Sequence, residues 1–92
     1  MNKKAQITEL IDSYISNLEK RGAKEFSGYT EIRTEEERMG YLLWFCKETK
    51  KFAEKGDLEK AGRWLGFIQG TLWALNIYSI DEMRDHNRPI FK

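Results

Sequence analysis

Residues 57–77, DLEKAGRWLGFIQGTLWALNI, decide how this chain is read. Leu58, Ala61, Leu65, Ile68, Leu72 and Leu75 step by three and four, which lines them up as one stripe of an α-helix. Gly62, Gly66, Gly70 and Ala74 recur every four residues on a second face, and Trp64, Phe67 and Trp73 fill much of what remains. The spacing predicts a helix from Asp57 to Ile77 with almost no polar face. Asp57 is placed to cap the free amides of the first turn, and Glu59 suits the positive end of the helix dipole. Lys60 stands where a capping box wants Glu or Gln. Glycine inside a helix costs about 1 kcal/mol relative to alanine, so three of them need compensation. Small residues at four-residue spacing usually find it in the close approach of another backbone. The stripe is therefore read as a packing face for another helix, in the same chain or in a second copy. The alternative is that bare backbone at Gly62, Gly66 and Gly70 lets a flat ligand such as a nucleobase lie against the helix, with Trp64 or Trp73 stacking beside it.

No charged side chain occurs from Trp64 to Ile80. That run falls short of the roughly 20 apolar residues of a spanning helix. Gln69, Thr71 and Asn76 lower its hydropathy further, so a buried helix of a soluble protein is expected and a membrane partner is not.

Moving outward, Thr34 opens a second helix with a capping-box pattern to Glu37, and Glu35, Glu36 and Glu37 favour its positive end. Lys47, Lys50, Lys51 and Lys55 suit its other end, and Gly56 stops it. Met39, Leu42, Leu43, Cys46 and Ala53 form one face of this helix. Tyr41, Trp44, Phe45 and Phe52 widen that face beyond what one neighbouring helix can cover. A first helix runs from about Lys3 to Arg21 on the stripe Ile7, Leu10, Ile11, Tyr14, Ile15 and Leu18, with Gly22 as its left-handed C-terminal residue. Residues 22–33 form a connection in which an extended piece around Tyr29 to Ile32 is the nearest approach to a strand. Ser79 with Glu82 reads as a capping box for a short helix from Ile80 to about Asn87, with Tyr78 able to staple against Met83. Pro89 follows, and Ile90 and Phe91 make an apolar tail that needs a place to dock.

The fold class expected is all-α: a small bundle of three main helices plus a short C-terminal helix, one domain over residues 1–92. Hydrophobic residues are 40% of the chain and charged residues 34%, the balance of an ordinary globular domain. Sixteen basic against 15 acidic residues leave a net charge of +1. Duplex DNA binding rests on a concentrated basic surface, and a DNA mimic needs the opposite imbalance, so nucleic acid is an unlikely partner. Cys46 is the only cysteine, and the residues after Met1 lack the apolar run of a signal peptide. A reducing, cytoplasmic location is the expectation.

Little here suggests chemistry. His86, the only histidine, lies four residues after Glu82, a spacing at which the two can share a metal ion or a proton. Metal sites need three or four converging ligands, and no serine or cysteine nucleophile lies on that helix. The ordinary reading is a histidine near a helix C-terminus, with no metal, no cofactor and no catalytic group. Arg21, Lys24, Tyr29 and Arg33 gather around the 22–33 connection and could hold an anion with an aromatic to stack a base; a solvated surface loop is the plainer reading. The aromatic load on two wide apolar faces points to self-association, a symmetric dimer being the commonest form.

Residues 63–70, RWLGFIQG, then Leu72-Trp73 and residues 78–88, YSIDEMRDHNR, resemble the C-terminal part of small accessory proteins of tailed bacteriophages. The resemblance covers about the last third of the chain. It implies a product made in an infected bacterial cytoplasm, a setting in which compact accessory proteins bind and disable a host factor; it implies no particular site. The function expected is thus a non-enzymatic protein that binds and inhibits a host defence or regulatory protein. The alternative is a small-molecule sponge that sequesters a signalling nucleotide and so evades antiviral immunity. Gly62, Gly66, Gly70, Trp64, Trp73, Arg21, Lys24, Tyr29 and Arg33 are the candidate contact residues under either reading. A nucleic-acid-binding regulator ranks third, since it requires the basic residues to collect on one face.

Overall fold

The computed structural model of the chain describes residues 2–26, 31, 32 and 34–91. Four helices follow in order: α1 Lys3–Lys20, α2 Glu35–Glu54, α3 Leu58–Ala74 and α4 Ile80–Asn87. No strand occurs among the described residues. The all-α bundle is as the periodicities predict, and Tyr29 lies outside the described residues.

Helix α2 is the middle layer. Helix α1 packs along one side of it and α3 along another, while α1 and α3 touch each other only lightly. This accounts for the breadth of the α2 apolar surface, since one helix serves two neighbours. Ile7, Ile11, Tyr14 and Leu18 of α1 are wholly buried, as are Ala61, Ile68 and Leu72 of α3. Full burial of one such large apolar side chain contributes roughly 1.5–3 kcal/mol. Between them sit Leu42, Leu43, Cys46 and Ala53 of α2. The Cys46 thiol has no exposed surface, and burial pushes it up to about 12, so it is a packing group and not a thiolate. Thr49 is equally buried and stays satisfied because its hydroxyl donates to the Phe45 carbonyl at 2.8 Å.

Local chemistry fixes the helix ends. Side chains of Asn2, Thr34, Asp57 and Ser79 accept from the amides of Ala5, Glu37, Lys60 and Glu82. At Ser79 the Glu82 carboxylate also accepts from the Ser79 amide at 3.0 Å, completing the capping box. Three helices close in one pattern. Gly22, Gly56 and Asn76 adopt positive φ (83°, 89° and 59°), and the next amide reaches back to a carbonyl five residues earlier. For α3 this corrects the predicted end. The helix stops at Ala74 and not at Ile77, because Asn76 tolerates the left-handed conformation and the Ile77 amide donates to Leu72 at 3.0 Å.

Of the two packing arrangements expected for the glycine stripe, the one within the chain does not occur among the described residues. A methyl group built on Gly62, Gly66 or Gly70 would meet nothing within 4 Å among the described residues. The stripe is open, not packed against another helix of this chain. With two long neighbours already committed to α2, the buried side of α3 is the Ala61, Leu65, Ile68, Leu72 row. The glycine demanded by close approach is instead Gly40 on α2, a position the periodicity does not single out. A methyl group there would overlap the Lys24 carbonyl oxygen, and the Phe26 amide donates to the Gly40 carbonyl at 3.1 Å. Residues 24–26 thus cross directly over the α2 backbone.

The C-terminal tail docks on α1. Gln6 Nε2 donates to the Pro89 carbonyl at 3.0 Å, Ile90 packs on the core, and the Lys3 ammonium lies 5.0 Å from the Phe91 ring centre. No helix of the described residues is long and apolar enough to cross a membrane.

Candidate binding surface

Aromatic side chains of α2 and α3 form a layer on the flank of the bundle. Phe45 stacks on Trp64 with ring centres 4.5 Å apart and meets Phe67 at 4.7 Å; Phe52 meets Trp64 edge-on at 4.8 Å. The Lys60 ammonium sits 4.1 Å from the Phe52 ring and 5.4 Å from Trp64. Trp64 is half-buried and makes these ring contacts inside the chain. Trp73 remains open, with 54% of its surface exposed, and Phe67 matches it at 53%. Both are large apolar side chains left bare on α3.

Two grooves meet at Gly70. The larger, about 420 Å³, runs between α2 and α3 and is lined by Ile32, Arg38, Tyr41, Leu42, Phe67, Gly70, Thr71 and Ala74. The smaller, about 280 Å³, runs between α3 and α4 and is lined by Gln69, Gly70, Trp73, Ile80, Met83, Arg84 and Asn87. Without a side chain, Gly70 leaves its backbone as the wall common to both. Arg38, an exposed residue that lines the larger groove, forms no ion pair with another described residue. Thr71 donates its hydroxyl proton to the Phe67 carbonyl at 2.9 Å, which leaves its oxygen an acceptor toward the groove. The larger groove thus combines an apolar floor, two aromatic walls, one cation and bare backbone. Its volume falls in the range typical of small-molecule sites, roughly 300–1,000 Å³.

The other candidates separate. Arg21 is exposed and donates from Nε to Asn17 at 2.7 Å. Lys24 borders a depression with Glu25, Phe26, Thr34, Glu36 and Glu37, whose carboxylates oppose anion binding. Neither lines a groove at Gly70. Tyr29 and Arg33 lie outside the described residues. Arg38, which the sequence does not single out, and Tyr41, read there only as part of the wide α2 face, line the groove in place of Arg21 and Lys24. Their i, i+3 spacing on the face of α2 toward α3 was the available signal.

The Glu82–His86 pair is also rearranged. Glu82 is engaged by the Ser79 amide and hydroxyl end of the cap, and these bonds hold its carboxyl below the usual range, with His86 a lesser contributor. His86 instead turns its Nδ1 to the Tyr14 hydroxyl at 2.8 Å. Tyr14 in turn accepts from Gln69 Nε2 at 3.0 Å, and Gln69 and Asn87 exchange two hydrogen bonds of 2.7 and 3.0 Å. Burial pushes the Tyr14 phenol up to about 12. Tyr78 rests against both rings, 5.5 Å from Tyr14 and 5.0 Å from His86. No buried side-chain polar atom among the described residues lacks a partner. Three or more His, Cys, Asp or Glu residues nowhere gather to hold a metal among the described residues.

Comparison with protein-family models, with curated proteins and with solved structures finds no match to this chain.

Proposed function

We propose that this chain is a non-enzymatic binding protein that sequesters a nucleotide in the groove between α2 and α3. The observation that carries this reading is Arg38, without an ion-pair partner among the described residues, lining an apolar groove with Tyr41, Phe67 and the bare backbone of Gly70. An aromatic base suits the ring walls and the glycine, and a phosphate suits the planar, bidentate guanidinium. Among the described residues the groove lining holds no histidine, cysteine or carboxylate to activate the Thr71 or Tyr41 hydroxyl, so the proposed role is binding without turnover. In the bacteriophage setting that residues 63–88 resemble, such a ligand would be a signalling nucleotide of the host's antiviral response. Holding it would silence that response.

Calorimetric titration of the protein with a panel of nucleotides tests this. Binding of one class at a defined stoichiometry, weakened by Arg38→Ala, is the expected result. No heat from any member of the panel at low ionic strength would remove the reading.

A second reading is favoured by Phe67 and Trp73, which flank Gly70 with more than half of their surface exposed. That patch suits a protein partner, either a host factor that the chain inhibits or a second copy completing a homodimer. Capture of a single bacterial protein that Trp73→Ala no longer retains would support the host-factor form. Mass in solution decides the self-association form.

A further inference from the structure

The junction of α1, α3 and α4 is closed by a chain of polar side chains that the α2–α3 groove does not use. Its donors can be followed end to end. Gln69 Nε2 has two hydrogens, one given to the Tyr14 oxygen at 3.0 Å and one to Asn87 Oδ1 at 2.7 Å. Asn87 Nδ2 returns one to Gln69 Oε1 at 3.0 Å. Tyr14 is fully buried and keeps its phenolic proton, which has one place to go, His86 Nδ1 at 2.8 Å. This order requires a bare Nδ1, hence a neutral imidazole carrying its proton on Nε2.

When His86 takes up a second proton, Nδ1 becomes a donor facing the Tyr14 O–H. Either the bond breaks or the chain turns round. Turning round is open to it because Gln69 and Asn87 are paired head to tail. A half-turn of both terminal amides exchanges every donor for an acceptor and restores the pair. Gln69 then presents Oε1 to Tyr14, Tyr14 donates to Gln69, and His86 donates to Tyr14. Every polar atom is satisfied in both directions.

We propose that His86, Tyr14, Gln69 and Asn87 form a reversible hydrogen-bond relay whose direction is set by the proton on His86. The relay keeps α4 attached in acid and carries the protonation state of α4 to Gln69 on α3, one residue from Gly70. The groups facing His86 are the Tyr14 and Tyr78 rings, Glu82 one turn earlier on α4, and Glu9 of α1 across a groove lined by Gln6, Ser13 and Pro89. Glu82 is held by Ser79, which leaves Tyr14 as the hydrogen-bond partner of Nδ1.

The test is nitrogen NMR of the full chain between about pH 8 and 5, the range in which histidine changes charge. His86 is expected as the Nε2–H tautomer at pH 8. On acidification the side-chain amide signals of Gln69 and Asn87 should move with the His86 midpoint, while α4 amides stay protected from hydrogen exchange. Stationary amide signals, loss of α4 protection, or an Nδ1–H tautomer at pH 8 would each overturn the relay. In Gln69→Leu the Tyr14 proton has nowhere to turn, so α4 protection should be lost on acidification; retention equal to wild type would also overturn it. Should that variant fail to fold, the wild-type titration decides alone.

Discussion

Helices α1 and α3 both lean on α2, yet they use their surfaces in opposite ways. Helix α1 has one apolar stripe, with Ile7, Ile11, Tyr14 and Leu18 fully buried and Leu10 and Ile15 partly so, and its flank toward α4 is closed by the Tyr14–His86 hydrogen bond and the docked tail. Helix α3 has two stripes, buries one, and leaves Gly66, Gly70, Phe67 and Trp73 bare. A chain of this size has too little core to cover every apolar face. The difference leaves the outer side of α3 uncovered by the rest of the described chain, and the contacts proposed above fall there.

The comparison breaks most visibly in the core. Ile11→Ala on α1 and Ile68→Ala on α3, both fully buried, should each cost about 2–5 kcal/mol in urea unfolding. Trp73→Ala, although it removes a larger ring, should cost far less than either. A loss at Trp73 as large as at Ile68 would mean the outer side of α3 is structural after all.

The helical glycines give opposite signs. Gly40→Ala drives a methyl group into the Lys24 carbonyl, and overpacking of this kind destabilises by roughly 1–3 kcal/mol. Gly66→Ala meets nothing and gains helix propensity, so the isolated chain should become more stable by up to about 1 kcal/mol. Where a second copy covers the stripe, Gly66→Leu should disrupt assembly, measured as mass in solution, more than Glu59→Ala does.

Arg38→Ala sharpens the contrast at the groove. Thermal stability should stay within about 0.5 kcal/mol, as for an exposed side chain away from the core. Nucleotide affinity should fall about tenfold or more, the loss of one charge-assisted contact. Equal affinity in the two proteins would detach the groove from binding.

The smallest effect concerns acid. The Ser79 cap lowers the Glu82 carboxyl, so its contribution is present above the carboxylate range and is lost as pH falls through the folded value. Glu82→Gln should flatten that part of the acid dependence of α4, seen by circular dichroism between about pH 5 and 3.

Much of the fold was legible because its determinants are local. The caps at Thr34, Asp57 and Ser79, the single stripe of α1 and the stop at Gly22 each depend on residues within one or two turns. The end of α3 was displaced because Asn76 takes a conformation more often given to glycine. The site was less legible. A four-residue repeat of glycines states that something can come close, without saying whether it belongs to the same chain. Gly40 carries no pattern, since its need comes from residues 24–26 crossing overhead. The relay joins positions 14, 69, 86 and 87 drawn from three helices, a grouping no periodicity announces.

The seclusion of Cys46 has a practical consequence. It is the chain's one thiol, wholly enclosed between α1 and α3 on the middle helix. A thiol reagent can reach it only when the bundle opens, so the labelling rate counts openings at the centre of the molecule. Run with and without a nucleotide or partner, that single clock would report occupancy of the outer face of α3 without adding a probe to it.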